Sequence, residues 1–234
     1  MSDAERLLRL APGLALKEKR LAVLLRGEDP RSPRLREAVE DAQMLGSLEL
    51  SGLAATWDEV KASRRAPPAA GPLAGMRRAV SAVDPQTPLT ARHLLAWHAA
   101  VTGADAGLRT AERRRDGMPP APPAFIAGRL AILEQWLAAD SSRQLRAAQQ
   151  GALVLARIVE ILPFDDANGR VSRLAASHVM VRSGAYPPIL VGADRPRLEQ
   201  CLQAAFQFVT EPLVVLLEEA SGRALDVMIQ TLEG

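Results

Sequence analysis

The sequence has little cysteine, lysine or aromatic side chain. Cys201 is the single cysteine in 234 residues, so an intrachain disulfide is excluded, and its helical surroundings favour a buried, unreactive thiol. Lysine occurs at only three positions, and aromatic residues make up 3% of the chain. The formal net charge is +2, which is too small to indicate a nucleic acid as partner.

The chain also lacks a long uncharged hydrophobic run. A helix that crosses a bilayer needs about 20 apolar residues, and no stretch of the sequence reaches that length. The first residues do not combine a basic start with an apolar core, as a secretory signal would. We therefore expect a cytoplasmic protein without a membrane partner.

Helical periodicity is the main pattern that the sequence does contain. Hydrophobic residues make up 48% of the chain and charged residues 24%, and apolar residues recur every three or four positions in nearly every segment. This pattern predicts an all-α fold, with at most one short β-hairpin in the irregular segment 102–123. Irregular connections of that length are often functional.

Composition divides the chain into three parts. Residues 1–64 are predicted to form a helical N-terminal region, which includes a helix around 35–53. Residues 65–84 are rich in Pro, Gly and Ala and are interpreted as a linker or loop. Residues 85–234 are predicted to form the main helical core and the C-terminal helices.

The segment 162–173, with the sequence LPFDDANGRVSR, joins two strongly predicted helices. Pro163 ends the first helix, because its ring disfavours helical geometry at Leu162 and because it has no N–H to donate. Phe164 is an apolar side chain that can anchor the loop to the core. The loop is therefore expected to be short and fixed at its start.

The second half of this segment has the composition of an anion site. Small, turn-prone residues at 166–169 allow backbone N–H groups to converge, and the N-terminal dipole of the next helix points to the same place. Arg170 and Arg173 are three residues apart and therefore lie on one face of that helix. Arginine suits bidentate phosphate contacts, and the Asp166 carboxylate is a ligand type that Mg²⁺ prefers. Each residue alone would favour an ordinary capped helix, but together they favour a polyphosphate site.

The same segment resembles the signature of the Fic family, His-Pro-Phe-x-Asp/Glu-Gly/Ala-Asn-Gly-Arg-x-x-Arg. It matches every defined position except the first. The resemblance extends over roughly residues 85–220 and includes a weaker match, one residue short, to the family's flap around Gly107 to Thr110. It implies a Fic-type helical core and the transfer of AMP from ATP, with Mg²⁺, to a hydroxyl of a target protein.

The nucleotide-binding residues implied by the resemblance are Ala167, Asn168, Gly169, Arg170 and Arg173. The first three would hold the α-phosphate through their backbone, and the two arginines would steady the outer phosphates. Asp166 would bind Mg²⁺, and Phe164 would be structural. The flap would align a segment of the target protein by strand pairing.

Leu162 stands where the family has a histidine that accepts the proton of the attacking hydroxyl. Such a base typically contributes ~10²–10⁴-fold to the rate, and a leucine cannot accept a proton. Phosphate binding does not need the histidine. The sequence therefore predicts a complete phosphate-binding half of the motif and a missing proton acceptor.

Four other residues are candidate substitutes for this base. His178 lies more than two turns along the helix from Arg170, and His93 and His98 lie in an amphipathic helix, where a surface or packed histidine is the usual case. Asp165 is adjacent to the site and could act as a weak base, although this position normally points elsewhere. Slow residual transfer stays open, because phosphoryl-type transfer depends heavily on positioning and electrostatics.

The segment 45–50 resembles the inhibitory helix of many Fic proteins, whose pattern is Ser/Thr-x-x-x-Glu-Gly/Asn. Glu49 matches the glutamate that pairs with the second motif arginine, here Arg173, and displaces the γ-phosphate. Leu45 and Leu50 replace the Ser/Thr and the Gly/Asn of the pattern. An ordinary exposed glutamate on an amphipathic helix is therefore an equal alternative.

Three functional hypotheses follow from the sequence. The first is a Fic-type protein whose AMP transfer is weak or absent, and the second is a nucleotide-binding or protein-interaction module without catalysis. The third is an active transferase that uses a substitute base or another donor. The expected partner is a target or regulatory protein, and a homodimer is also allowed.

Overall fold

The structure is a computed structural model that describes residues 12–26, 29–30, 32–104, 107–115 and 119–234. These residues form α-helices, two 3₁₀ turns and connecting loops, and no β-strand occurs among them. The helices are α1 (Pro12–Leu25), α2 (Pro33–Leu50), α3 (Trp57–Ala62), α4 (Pro72–Ser81), α5 (Ala91–Thr102), α6 (Ile126–Ala138), α7 (Asp140–Arg143), α8 (Ala147–Ile161), α9 (Asn168–Arg182), α10 (Arg195–Phe206) and α11 (Glu211–Glu233). The predicted all-α fold is confirmed.

Helices α8 and α9 form the centre of the fold. They pack on each other more extensively than any other pair of described helices. Both helices bury residues on several faces, because α2, α5 and α6 cover one side of the pair and α10 and α11 cover the other. A helix that is apolar on most of its surface requires burial of this kind. The loop between α8 and α9 is consequently held at both ends by the core.

Helix α2 crosses α9 and comes very close to the segment that precedes α10. At Gly46 an added Cβ would lie 1.9 Å from the backbone oxygen of Leu190. Only glycine allows this separation, because any side chain would overlap the carbonyl group. The C-terminal end of α2 is thereby placed beside the N-terminal end of α9.

A buried ion-pair cluster joins α2 to the residues that follow it. Asp41 is fully buried on α2, and its two carboxylate oxygens lie 2.8 Å from Arg77 and 2.5 Å from Arg64. Arg77 also donates hydrogen bonds to Ser63 and to the backbone oxygen of Val60. A buried carboxylate requires such partners, since desolvation without them would be costly.

The interpretation of residues 65–84 as a linker or loop was wrong in part, because the segment contains α4. Gly71 precedes this helix with a φ of 92°, and Pro72 occupies its first turn, where a proline is tolerated because no intrahelical partner needs its N–H. Met76 and Val80 are buried against the main core. Pro and Gly therefore mark the start of a helix here.

The irregular connection between α5 and α6 contains no strand in its described parts, 107–115 and 119–122. Residues 105–106 and 116–118 of the predicted hairpin region lie outside the described residues. None of the described helices combines the length and the apolarity required to cross a bilayer.

Candidate functional site

The α8–α9 loop begins with a strained residue. Leu162 ends α8 in the left-handed conformation, with a φ of 52° and a ψ of 63°, and its N–H donates to the backbone oxygen of Ile158 at 3.0 Å. This conformation costs a non-glycine residue roughly 1–2 kcal/mol. Leu162 cannot continue the helix, because Pro163 follows it and disfavours the helical conformation at the preceding residue.

Arg109 holds this strained turn in place. Its buried guanidinium donates from Nε to the backbone oxygen of Leu162 at 2.6 Å and from Nη2 to that of Ile161 at 3.4 Å. It also donates to the backbone oxygens of Ala111 and Ala121, and its own N–H donates to the oxygen of Pro163 at 2.9 Å. Arg109 thus joins the predicted flap region to the start of the loop. Sequence reasoning missed this role.

Phe164 and Asn168 close the loop from inside. The Phe164 side chain is fully buried, as predicted for an anchor, and its N–H donates to Oδ1 of Asn168 at 3.0 Å. Nδ2 of Asn168 donates to the oxygen of Phe164 at 2.8 Å and to that of Asp166 at 3.3 Å. The Asn168 side chain is therefore occupied by the loop itself, and only its backbone N–H is directed into the first turn of α9.

The first turn of α9 has the backbone conformation of a candidate anion site. Ala167 is left-handed, with a φ of 55° and a ψ of 6°, and α9 begins at the next residue. A left-handed residue followed by helical ones makes successive N–H groups converge, and the N–H groups of a first helical turn have no intrahelical acceptor. Asn168 and Gly169 occupy these positions, so the backbone here has the conformation that such a nest requires.

Two arginines in the first turns of α9 lie close enough for their charges to interact. Burial lowers the pKa of Arg170, and the charge of Asp166 opposes the shift. Burial lowers the pKa of Arg173 to about 9, and the nearby charges of Arg170 and Arg195 contribute to the decrease. Both guanidiniums therefore carry positive charge at neutral pH in surroundings that penalise it. An anion bound between them would relieve that penalty.

The Arg173 guanidinium lies beside Gly169, one turn before it on α9. A Cβ added at Gly169 would lie 3.1 Å from Nη1 of Arg173. Its other two nitrogens contact α2: Nε donates to Oγ of Ser47 at 3.0 Å, and Nη2 donates to the oxygen of Ser47 at 2.8 Å and to Oγ of Ser51 at 2.9 Å. One end of the guanidinium therefore lies over the anion site and the other is bound by α2.

Of the two alternatives for Glu49, this structure shows the exposed glutamate and not the pairing with Arg173. Glu49 is exposed, and its Oε2 accepts a hydrogen bond from the N–H of Gly192 at 2.9 Å. Ser47 and Ser51 contact Arg173 instead. At 100° per residue, positions 47 and 51 share one face of a helix, whereas position 49 lies about 200° from position 47. The glutamate therefore faces the segment before α10 and not the arginine.

Asp166 lies beside a histidine at the edge of the anion site. Nε2 of His98 is 3.3 Å from Oδ1 of Asp166, and the His98 ring stacks on that of Phe164, with centroids 4.1 Å apart and planes at 12°. His98 is buried, whereas the Asp166 side chain is 68% exposed. The sequence placed His98 correctly on an amphipathic helix, but it gave no signal for this contact between residues 68 positions apart.

The donor set fits a metal ion that is bound together with a nucleotide. In the part of the chain that the structure describes, no group of three or more His, Cys, Asp or Glu side chains could hold a metal ion. Asp166 alone offers an exposed carboxylate next to the nest. Mg²⁺ commonly takes one or two carboxylates and completes its shell with phosphate oxygens and water. The chain therefore fits such an ion only when phosphate is present.

The remaining candidate bases lie elsewhere. Asp165 forms an ion pair with Arg113 at 3.0 Å. Nδ1 of His93 accepts from the N–H of Thr90 at 3.1 Å and so helps to cap α5. Nε2 of His178 lies 2.9 Å from the backbone oxygen of Thr87. Each of these side chains has a structural contact, and none of those contacts involves the nest.

Comparison with known proteins identifies the family that this site resembles. Residues 88–180 match the family model described as the Fic/DOC family. A protein adenylyltransferase Fic from Drosophila virilis is 30% identical over 147 residues, which cover 60% of this chain and 30% of that protein. The equivalent protein from Culex quinquefasciatus is 29% identical over 147 residues, with 60% and 29% coverage. The chain thus spans less than a third of the length of these curated relatives.

The similarity to solved structures extends beyond residues 88–180 and covers most of the chain. A Fic domain containing signaling protein from Bacteroides thetaiotaomicron superposes with a TM-score of 0.77 at 19% identity and covers 95% of this chain and 98% of that one. Residues 134–508 of Fic-1 from C. elegans give a TM-score of 0.74 at 20% identity, with 94% and 73% coverage. At these identities the likeness concerns the fold.

Proposed function

We propose, from the match of residues 88–180 to the Fic/DOC family model, that the chain is a member of this family, descends from protein adenylyltransferases and retains their nucleotide site. Such enzymes move AMP from ATP to a hydroxyl of a target protein. The transfer step itself is impaired in this chain, because Leu162 occupies the position of the proton acceptor.

The observation that carries this proposal is the position of the Arg173 guanidinium over Gly169, at the N-terminal end of α9. Nη1 of Arg173, the backbone N–H groups of the first turn and the Arg170 guanidinium provide positive charge and donors around one space. Such a group of donors suits a polyphosphate, because the Asn168 side chain bonds to the loop and leaves the N–H groups of the first turn of α9 without a side-chain cap.

The residues of the chain have distinct proposed roles. The backbone N–H groups of Ala167, Asn168 and Gly169 bind the α-phosphate, and Arg170 and Arg173 bind the outer phosphates. Phe164 holds the loop in the core. Asp166 is the residue that would hold Mg²⁺, which when bound neutralises negative charge on the phosphate oxygens. The target protein would approach along Gly107 to Thr110, which Arg109 attaches to the loop.

The experiment that tests the impairment is the change Leu162→His. With ATP labelled at the α-phosphate, labelling of the chain or of added protein should rise by at least about 100-fold over the native chain, because the proton acceptor is restored. Leu162→Asn is the matched control, because asparagine tolerates the left-handed conformation but is not a base.

Strong labelling by the native chain would contradict the impairment if it persisted in the Asp165→Asn variant. In that case another group accepts the proton, and Leu162 is compatible with turnover.

A second candidate function is a nucleotide-binding module without catalysis. It is favoured by the separation of the two halves of the motif, since no phosphate-binding residue depends on Leu162 for its position. Calorimetry with ATP and Mg²⁺ should show binding to the native chain and a clear loss of affinity in Arg170→Ala. If the native chain binds no nucleotide, both this function and the retained nucleotide site are excluded, and a protein-interaction role is left.

A further inference from the structure

The C-terminal turn of α2 contacts Arg173 with neutral groups only. Oγ of Ser47 accepts from Nε, and the oxygen of Ser47 and Oγ of Ser51 both accept from Nη2. The hydroxyl of Ser51 donates its own proton to the oxygen of Ser47 at 2.9 Å, so its lone pairs are turned toward the arginine. These contacts fix both the position and the plane of the guanidinium.

Neutral partners leave the positive charge of Arg173 available to another anion. The charges that act on Arg173 come from two further cations, Arg170 and Arg195. Arg195 itself donates from Nη2 to the backbone oxygen of Glu49 at 2.8 Å, so two arginines are directed at the same helix end. The carbonyl groups of a helix C-terminus carry partial negative charge, which supports these cations without neutralising them.

The contacts to α2 also leave one nitrogen beside Gly169 in the first turn of α9. Nε and Nη2 are bonded to Ser47 and Ser51, whereas Nη1 lies over Gly169. A free arginine side chain would lose conformational entropy when it ordered on a phosphate. An arginine that α2 already holds in this orientation has lost that entropy beforehand, so a phosphate binds it at lower cost.

We propose that Ser47 and Ser51 are positioning residues that hold Arg173 ready for an outer phosphate of a nucleoside triphosphate. The end of α2 is then a component of the phosphate site. The proposal rests on the proposed nucleotide site and adds to it the hydroxyl groups that orient its second arginine. It also concerns the outer phosphates alone, because α2 touches neither Ala167 nor Asn168 through these serines.

The direction in which removal of these hydroxyls changes ATP affinity distinguishes a positioning role from an obstructing one. If the α2 hydroxyls position Arg173, their removal weakens ATP binding. If they occupy donors that a phosphate needs, their removal strengthens ATP binding. AMP has no outer phosphate, so its affinity should not respond in either case.

The experiment is calorimetry of the full chain with ATP and with AMP, each in the presence of Mg²⁺. Ser51→Ala should lower the ATP affinity roughly fivefold, which corresponds to one hydrogen bond of ordinary strength, and should leave the AMP affinity unchanged. Ser51→Thr keeps a hydroxyl and should restore the native ATP affinity. Glu49→Gln is the matched control on the opposite face of α2 and should bind ATP as the native chain does.

Two other kinds of result would contradict the positioning role. A higher or unchanged ATP affinity of Ser51→Ala overturns the positioning role and leaves the nucleotide site intact, and so does an equal loss for ATP and AMP. If the native chain binds neither nucleotide, the proposed site fails, and the positioning role fails with it. Ser51 is exposed, so this variant tests the idea even if the buried Ser47→Ala variant does not fold.

Discussion

At the scale of single residues, the site depends on backbone conformations that side chains elsewhere enforce. Leu162 and Ala167, at the two ends of the loop, are both left-handed although neither is glycine. Arg109 holds the first through carbonyl groups, and Asn168 closes the turn before the second. Strain that persists in this way is common where a loop must present a binding surface. The nest is therefore preformed.

Gly169 provides a residue-scale prediction. In Gly169→Ala the added Cβ would stand 3.1 Å from Nη1 of Arg173, so the guanidinium must move off the nest. We expect ATP affinity to fall roughly tenfold, which corresponds to about 1.4 kcal/mol. The free energy of unfolding, measured with urea, should change by at most about 1 kcal/mol, because alanine is the better helix former.

Gly128→Ala on α6 is the control for this change, because no atom lies within 4 Å of its added Cβ. It should leave ATP affinity unaltered. Equal ATP affinities of Gly169→Ala and the native chain would show that Arg173 does not act over the nest.

At the scale of elements, the orientation of α2 decides which of its side chains reaches the site. One face of α2 carries Ser47 and Ser51 toward Arg173, and the other carries Glu49 toward Gly192. The close approach at Gly46 fixes this rotation, because it leaves no space between α2 and the backbone of Leu190. Because positions 47 and 49 lie about 200° apart around the helix, only a large rotation of α2 would bring Glu49 to the arginine.

Gly46→Ala tests the importance of this contact. Its Cβ would overlap the oxygen of Leu190, so α2 must shift, and overpacking of this kind costs about 1–3 kcal/mol. We expect a lower free energy of unfolding in urea, although alanine normally stabilises a helix interior. Native stability in this variant would mean that α2 can dock by another route. Gly128→Ala is again the matched control and should be neutral or slightly stabilising.

At the scale of the whole molecule, the N-terminal helices share their core with the C-terminal ones. Leu21 of α1 and Leu35 of α2 belong to the same buried cluster as Leu225 of α11 and Ile189. We propose residues 85–234 as the core that bears the site, to which residues of the N-terminal region contribute. Stability should therefore be cooperative across these helices.

His178 is expected to make the free energy of unfolding depend on pH. It lies on α9, fully buried, and its Nε2 donates to the oxygen of Thr87. Burial lowers the pKa of His178 below the usual histidine value of about 6.5. The bond to Thr87 and the charge of Asp84 oppose this shift, and His93 and Arg182 add to it. Below about pH 6.5 the unfolded chain therefore binds more protons than the folded one. The free energy of unfolding decreases as the pH is lowered.

Urea unfolding at several pH values between 7.5 and 5 checks this prediction. The native chain should lose stability as the pH falls through 6.5, whereas His178→Gln should lose less over the same interval. Equal slopes for the two proteins would remove His178 as the cause.

The sequence alone predicted those parts of the fold and site that depend on neighbours in the chain. Pro163 ends α8, Thr90 caps α5, and the nest and its two arginines lie within twelve consecutive residues, so short-range sterics and helical spacing were sufficient. For the same reason the leucine at the position of the motif histidine could be identified from the sequence. The start of α4 was missed because proline and glycine mark both loops and helix starts.

The tertiary structure alone decided which distant groups meet the site. Ser47 and Ser51 reach Arg173 across more than 120 positions, Arg109 reaches Leu162 across 53, and His98 reaches Asp166 across 68. A helical pattern identifies which residues share a face, but the packing of the whole chain sets which face points where. For this reason the sequence left Glu49 open between a partner of Arg173 and an exposed glutamate, whereas the docking of α2 on α9 brought two hydroxyl groups to the arginine.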